Sequence, residues 1–166
     1  MSNQDFKEIT LSTVMEVLEQ TAFVFPEPGD MLEGVSLDNM EFIMVSLNYT
    51  GDKLGQVMMI MATEFCAEIA ANLLGEEVDE TSPDDNNFDS AKEMLNIISG
   101  QLLTRVYGDT ALFSLSAPEV QQLQNEKLFE IIDSKDYALC MVDEYPVITI
   151  FTPEEKLSNE HQSVGR

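Results

Sequence analysis

Two apolar runs, residues 40–49 and 54–61, are separated by only four residues, Thr50-Gly51-Asp52-Lys53. A parallel pair needs a crossover of a dozen or more residues, so this connection allows only an antiparallel hairpin. Residues 137–142 and 146–152 form a second such pair, turning at Asp143-Glu144-Tyr145. These runs are rich in Val, Ile, Thr, Tyr and Phe, side chains that suit a pleated, half-buried surface. Further strands are predicted at 111–116 and at 128–132 (Leu-Phe-Glu-Ile-Ile).

Helical periodicity fills most of the remaining chain. Over 5–22, Ile9, Leu11, Val14, Met15 and Leu18 make one apolar stripe, with Glu16, Glu19 and Gln20 off it. Phe25-Pro26-Glu27-Pro28-Gly29 is a stop signal. Thr63 suits the N-cap of a second helix running to Leu74 and closed by Gly75. A third is predicted over Phe88–Tyr107, with Ala91, Met94, Leu95, Ile98, Leu102 and Val106 facing inward and Gly108-Asp109-Thr110 ending it. Helix, two strands, two helices and then strands predict an α+β fold, an antiparallel β-sheet with helices packed on it. Ser12, Glu16 and Glu19 repeat the spacing of Asp89, Glu93 and Asn96, which suggests a helix-then-hairpin unit used twice. One domain over 1–153 and a polar tail over 154–166 are expected.

Charge narrows the function classes. The 31 acids outnumber the 8 bases, for a net charge of −23. That balance opposes a nucleic-acid partner, which needs clustered Lys and Arg, and an anionic membrane surface. No apolar run approaches the ~20 residues that span a bilayer. The opening Met-Ser-Asn-Gln-Asp-Phe-Lys-Glu is polar, unlike a secretory signal. Cys66 and Cys140 each lie in an apolar stretch and read as buried free thiols of a cytoplasmic protein. The single histidine, His161, is in the polar tail, so zinc sites, Ser-His-Asp triads and Cys-His pairs have little support. No glycine-rich phosphate loop occurs. The acids Glu76, Glu77, Asp79, Glu80, Asp84, Asp85 and Asp89 lack the glycine and alternate spacing of a calcium loop. They read as a solvated loop that places acids at the start of the next helix, with no metal site.

On that helix Asp89, Glu93, Asn96 and Gly100 fall at i, i+4, i+7 and i+11, and so share one face beside the apolar stripe. A carboxylate and an amide about one turn apart on a solvated ridge can enter a partner's cleft together. Glycine inside a helix costs ~1 kcal/mol relative to alanine, so Gly100 invites an explanation such as close approach of a partner. An ordinary solvated helix face is the alternative.

Asp89-Ser-Ala-Lys-Glu93-Met-Leu-Asn96, followed by 21 residues and then Pro118, resembles the pattern of the CheC/CheX/FliY phosphatases of bacterial chemotaxis: Asp or Ser, three residues, Glu, two residues, Asn, 21 residues, Pro. Gly55-Gln-Val-Met-Met-Ile-Met is similar to the family's strand after a glycine. Phe65-Cys-Ala-Glu-Ile-Ala-Ala-Asn-Leu-Leu-Gly75 is similar to its following helix, and Asn96-Ile-Ile-Ser-Gly100 to its Asn-Ile-x-x-Gly turn. The resemblance spans about residues 8–152 and is specific in 53–118.

The resemblance implies a CheC/CheX-like fold with pseudo-repeated halves. It also implies a hydrolase acting on the aspartyl phosphate of a CheY-type receiver domain. The receiver supplies the phosphate and its Mg²⁺; the phosphatase brings no cofactor of its own. By carry-over, Asn96 holds the attacking water in line with phosphorus and Glu93 pairs with the receiver's lysine. Asp89, Lys92 and Gly100 are expected to meet the partner, and Pro118 to shape the backbone. The residue types fit, because phosphoryl transfer asks mainly for positioning and electrostatics. An amide can donate and accept without adding charge beside a phosphate.

In the first helix Ser12 and Glu16 fit the motif, but Glu19 stands where Asn should be, and the position 22 residues beyond it is Glu41 rather than Pro. The chain thus looks more like single-site CheX than two-site CheC. CheX resemblance further implies a homodimer joined through its sheets, with the 137–152 hairpin as the candidate contact. The competing class is a non-enzymatic adaptor or flagellar-switch-like module of the same fold. The Glu93–Asn96 pair favours the enzyme. The identity of the receiver, and whether it serves chemotaxis, stay open at this level.

Overall fold

The computed structural model describes residues 1–74 and 85–154. Helix α1 spans Asn3–Ala22, then β1 Glu27–Gly29, β2 Phe42–Gly51, β3 Gly55–Ala62, α2 Thr63–Leu74 and α3 Asp85–Tyr107. The chain continues through β4 Phe113–Leu115, β5 Glu119–Leu123, α4 Asn125–Ser134, β6 Ala138–Val142 and β7 Tyr145–Pro153. The strands form one sheet in the order β1-β6-β7-β3-β2-β4, with β5 also on β2, and every pairing is antiparallel.

Both hairpins form where the short turns place them. Tyr49 lies opposite Gly55 in the first, and Val142 opposite Tyr145 in the second. Gly55 is required by close approach: a Cβ there would lie 2.2 Å from the Tyr49 hydroxyl, so the tyrosine ring lies over a residue with no side chain.

The strand order carries a pseudo-repeat. The first half runs α1, β1, β2, β3; the second runs α3, β4 and β5, then β6, β7, with α4 inserted before its hairpin. β3 and β7 pair at the centre, Gly55 opposite Pro153 through Met61 opposite Val147. Each half lends its short edge strand to the other half's hairpin, β1 to β6 and β4 and β5 to β2.

The sheet carries α1 over β6 and β7 and α3 over β2, β3 and β5, with α1 and α2 both against α3. By register, Ile43, Val45 and Leu47 share a face with Val57, Met59 and Met61, and all six are buried. Val14, Val17 and Leu18 of α1 and Ala91, Met94, Leu95, Ile98 and Leu102 of α3 belong to the same core. Each large apolar side chain buried in this way contributes about 1.5–3 kcal/mol.

The structure corrects several expectations. Residues 128–132 are helical, inside α4, rather than a strand. Leu128 and Ile131 are buried three residues apart while Phe129 and Glu130 are exposed, a helical spacing that a five-residue apolar window cannot reveal. β1 and β5 were not anticipated: one is three residues long and contains Pro28, and the other is mostly polar. α1 starts earlier because Ser2 and Asp5 form a capping box, the Asp5 amide donating to Ser2 Oγ and the Ser2 amide to the Asp5 carboxylate. It ends at Phe23, whose left-handed φ of 58° breaks the helix before Pro26 is reached. α3 begins at Asp85, so of the acidic 76–89 segment Asp85 and Asp89 lie in helix, and residues 76–84 fall outside the described residues. The Gly75 stop and residues 155–166 of the tail also lie outside them.

The 137–152 hairpin is not an edge. β6 is covered by β1 and β7 by β3, so its backbone pairing is satisfied within the chain.

Candidate functional site

Burial of Ala91, Met94, Leu95, Ile98 and Leu102 fixes the rotation of α3 about its axis. At 100° per residue the ridge of Asp89, Glu93, Asn96 and Gly100 is then carried to the solvent side. Asp89, Glu93 and Gly100 are exposed, and Asn96 and Lys92 are half-buried. All five residues singled out from the sequence therefore lie along one helix surface.

The Glu93 carboxylate and the Asn96 amide make no hydrogen bond or ion pair among the described residues. Asp89 and Lys92 approach to 3.9 Å, at side-chain exposures of 66% and 40%, a contact too solvated to hold either firmly. At Gly100 an added Cβ would meet nothing within 4 Å. Nothing among the described residues packs against that position.

The ridge is rigidly mounted. The Tyr107 hydroxyl at the end of α3 lies 3.2 Å from that of Tyr49, and the Tyr49 ring stacks on Phe151 at 5.8 Å. Arg105 donates to Thr13 Oγ1 at 3.0 Å and to the Glu16 carboxylate, joining α3 to α1. Pro118 is half-buried in the break between β4 and β5, where Ser116 and Asn48 exchange two hydrogen bonds at 2.8 and 2.9 Å. A residue with no N–H fits such an interruption of an edge strand.

The half-motif of α1 is differently placed. Glu16 is occupied by Arg105 and also accepts from Gln20 at 3.3 Å. The Ser12 hydroxyl donates to the Ile9 carbonyl, and Glu19 is exposed. No arginine reaches Glu93 among the described residues. Sequence reasoning missed the Arg105–Glu16 ion pair. Its only signal was a base among few, on the polar side of α3, with a partner 89 residues away.

Both thiols are buried, and desolvation pushes Cys66 and Cys140 up to about 12, which leaves neither ionised for attack at neutral pH. No group of three or more His, Cys, Asp or Glu among the described residues can hold a metal ion. No helix among them is long and apolar enough to cross a membrane. What the ridge offers is one amide, Asn96, and two carboxylates, Asp89 and Glu93, on one helix surface, groups able to orient a water and to meet a cation.

Comparison with known proteins identifies the family and the fold. A sequence profile of the family described as chemotaxis phosphatase CheX matches residues 43–141. A search of curated proteins by sequence finds no match. Among solved structures, the chemotaxis protein CheX from Vibrio vulnificus superposes with a TM-score of 0.67 at 14% identity, covering 93% of this chain and 99% of that one. The CheX of a CheX–CheY–BeF3–Mg²⁺ complex from Borrelia burgdorferi gives 0.62 at 20% identity, covering 90% and 98%. Thermotoga maritima FliY gives 0.57 at 16% identity, covering 98% and 96%.

Proposed function

The chain belongs to the chemotaxis phosphatase CheX family, and we propose that it dephosphorylates the aspartyl phosphate of a CheY-type receiver domain by inserting Glu93 and Asn96 from α3. One observation carries the reading: these two side chains stand on a solvent-facing ridge with no partner among the described residues, and at Gly100, about one turn beyond Asn96, an added Cβ would meet nothing within 4 Å. The Asn96 side-chain carbonyl accepts a hydrogen bond from the attacking water and holds it in line with phosphorus. Glu93 pairs with a cation of the receiver and fixes the pose, since a carboxylate beside a phosphoryl group is tolerated only against positive charge. Asp89 and Lys92 flank the entry, and Gly100 lets the receiver's surface approach the helix backbone. This division of labour suits phosphoryl transfer, in which positioning supplies most of the acceleration.

The Borrelia burgdorferi relative was solved with CheY, BeF3 and Mg²⁺, which supports assigning the Mg²⁺ to the receiver rather than to this chain. The protein acts in the cytoplasm as one domain, 1–153, with a tail. It functions as a homodimer; the 137–152 hairpin has no free edge, so any contact made there is by packing rather than by strand pairing. Light scattering that returns the 18.6 kDa monomer at tens of micromolar rejects the dimer.

The deciding experiment is phosphate release from a phosphorylated CheY-type receiver in Mg²⁺, with and without the protein. Accelerated release that disappears in Asn96→Ala supports the phosphatase. Binding of the receiver without acceleration identifies a non-catalytic adaptor of the same fold.

A further inference from the structure

We propose that the cavity beneath the first turns of α1 binds a small organic anion, a carboxylate or phosphate carried on a short apolar body. The cavity has a volume of about 280 Å³ and lies between α1, the start of β6 and the end of β7. It takes no residue from α3, so it is separate from the Glu93–Asn96 ridge and does not rest on the phosphatase reading.

Three observations converge. First, Thr149 of β7 lines the cavity, is 1% exposed, and its hydroxyl has no hydrogen-bond partner among the described residues. Thr149 pairs with Met59 in register and shares the helix-facing side of the sheet, where valine would fill the same volume without a polar atom to satisfy. Second, Lys7 and Lys135 both line it, and neither makes an ion pair among the described residues. With 8 bases against 31 acids, two unpaired lysines on one small cavity run against the composition of the chain. Asp136 is the one acid in the lining, which leaves the cavity a single positive charge in excess. Third, the wall offers an apolar patch among polar groups: the Phe6 and Phe151 rings pack at 5.5 Å, while Asn3, Thr10 and Thr152 also line the cavity.

The two lysines also border a neighbouring depression that holds Asp30 and Asp133, without pairing with either. An anion in the cavity would draw both ammonium groups inward and, with a small shift of the wall that uncovers the buried Thr149 hydroxyl, accept from it. Its apolar body would lie against the two phenyl rings. Convergent polar groups beside an apolar patch are a usual make-up of a small-ligand site.

The test is a titration followed by amide NMR with three probes: benzoate, inorganic phosphate, and benzyl alcohol as the neutral control. Saturating shifts confined to residues 3–10, 135–138 and 149–153, given by benzoate or phosphate but not by benzyl alcohol, support the site. Affinity should fall about tenfold or more in the Lys7→Gln, Lys135→Gln double variant, and it should weaken in Thr149→Val, which keeps the volume and removes the hydroxyl. Absence of saturation by either anion, an equal response to benzyl alcohol, or unchanged affinity in either variant overturns the proposal.

Discussion

Arg105 of α3 donates to the carboxylate of Glu16 on α1, and the same guanidinium reaches Thr13 one turn earlier. The contact joins the two pseudo-equivalent helices. It also occupies the acidic residue that would open a second site on α1, while Glu93, its counterpart on α3, is left open to solvent.

Glu16→Ala and Glu19→Ala should therefore leave turnover nearly unchanged. The pair is partly exposed, 32% at Arg105 and 45% at Glu16, so Glu16→Ala should lower stability by no more than about 1 kcal/mol. Glu19, when ionised, has no N–H to donate and brings negative charge toward a phosphoryl group. A large loss of turnover in Glu19→Ala, with folding and receiver affinity intact, would place a working site on α1.

Asn96→Ala should reduce phosphate release about a hundredfold or more, the usual scale for one positioning or polarising amide, with receiver affinity largely kept. Glu93→Ala should weaken both docking and rate. Both residues lie off the buried stripe, so unfolding free energies should stay within about 0.5 kcal/mol of the parent. Calorimetric binding to a beryllofluoride-activated receiver separates docking from chemistry. Unfolding of either variant would mean that the side chain belongs to the core.

At Gly100 stability and function should move in opposite directions. Gly100→Ala should stabilise the fold by about 1 kcal/mol, because the new Cβ meets open space and helix propensity improves. Gly100→Leu should fold equally well but lose receiver affinity. If Gly100→Leu binds and turns over like the parent, the glycine has no part in partner approach.

Ser99, next to Gly100, points the other way: it is fully buried, and its hydroxyl has no partner among the described residues. Ser99→Ala should raise stability by about 1 kcal/mol, since an unmatched buried hydroxyl is removed. Denaturant midpoints give the answer, and a clear loss of stability would reveal a bond to that hydroxyl.

The thiols set an alkaline limit. Burial raises Cys66 and Cys140 from the ordinary 9.0 to about 12. The unfolded chain releases these protons above pH 9 while the folded chain keeps them until about 12. Their contribution is thus fully present below pH 9 and declines as pH rises through that window. Cys66→Ala should lower stability at every pH, yet flatten its fall between pH 9 and 12 relative to the parent. An unchanged slope would contradict the burial argument.

Much of this protein was legible locally. The four-residue connection at 50–53 demands an antiparallel hairpin, and the apolar period of 91–102 orients α3 and so exposes Asp89, Glu93, Asn96 and Gly100. Those features depend on residues within one or two turns of each other, where sequence spacing is spatial spacing. The strand expected at 128–132 is instead part of α4, because Leu128 to Ile132 is too short for its period to show, while over Asn125–Ser134 the burial of Leu128 and Ile131 follows helical spacing. β1 and β5 are strands because distant hairpins offer them hydrogen bonds, not because Glu27-Pro28-Gly29 or Glu119–Leu123 favours extension. The Arg105–Glu16 pair and the cavity of Lys7, Lys135 and Thr149 bring together residues far apart in the chain. The chain's own spacing therefore determined which residues could act together on one helix. Only tertiary packing decided which of the two related helices keeps its carboxylate free, because that depends on where a side chain from the other half of the molecule comes to rest.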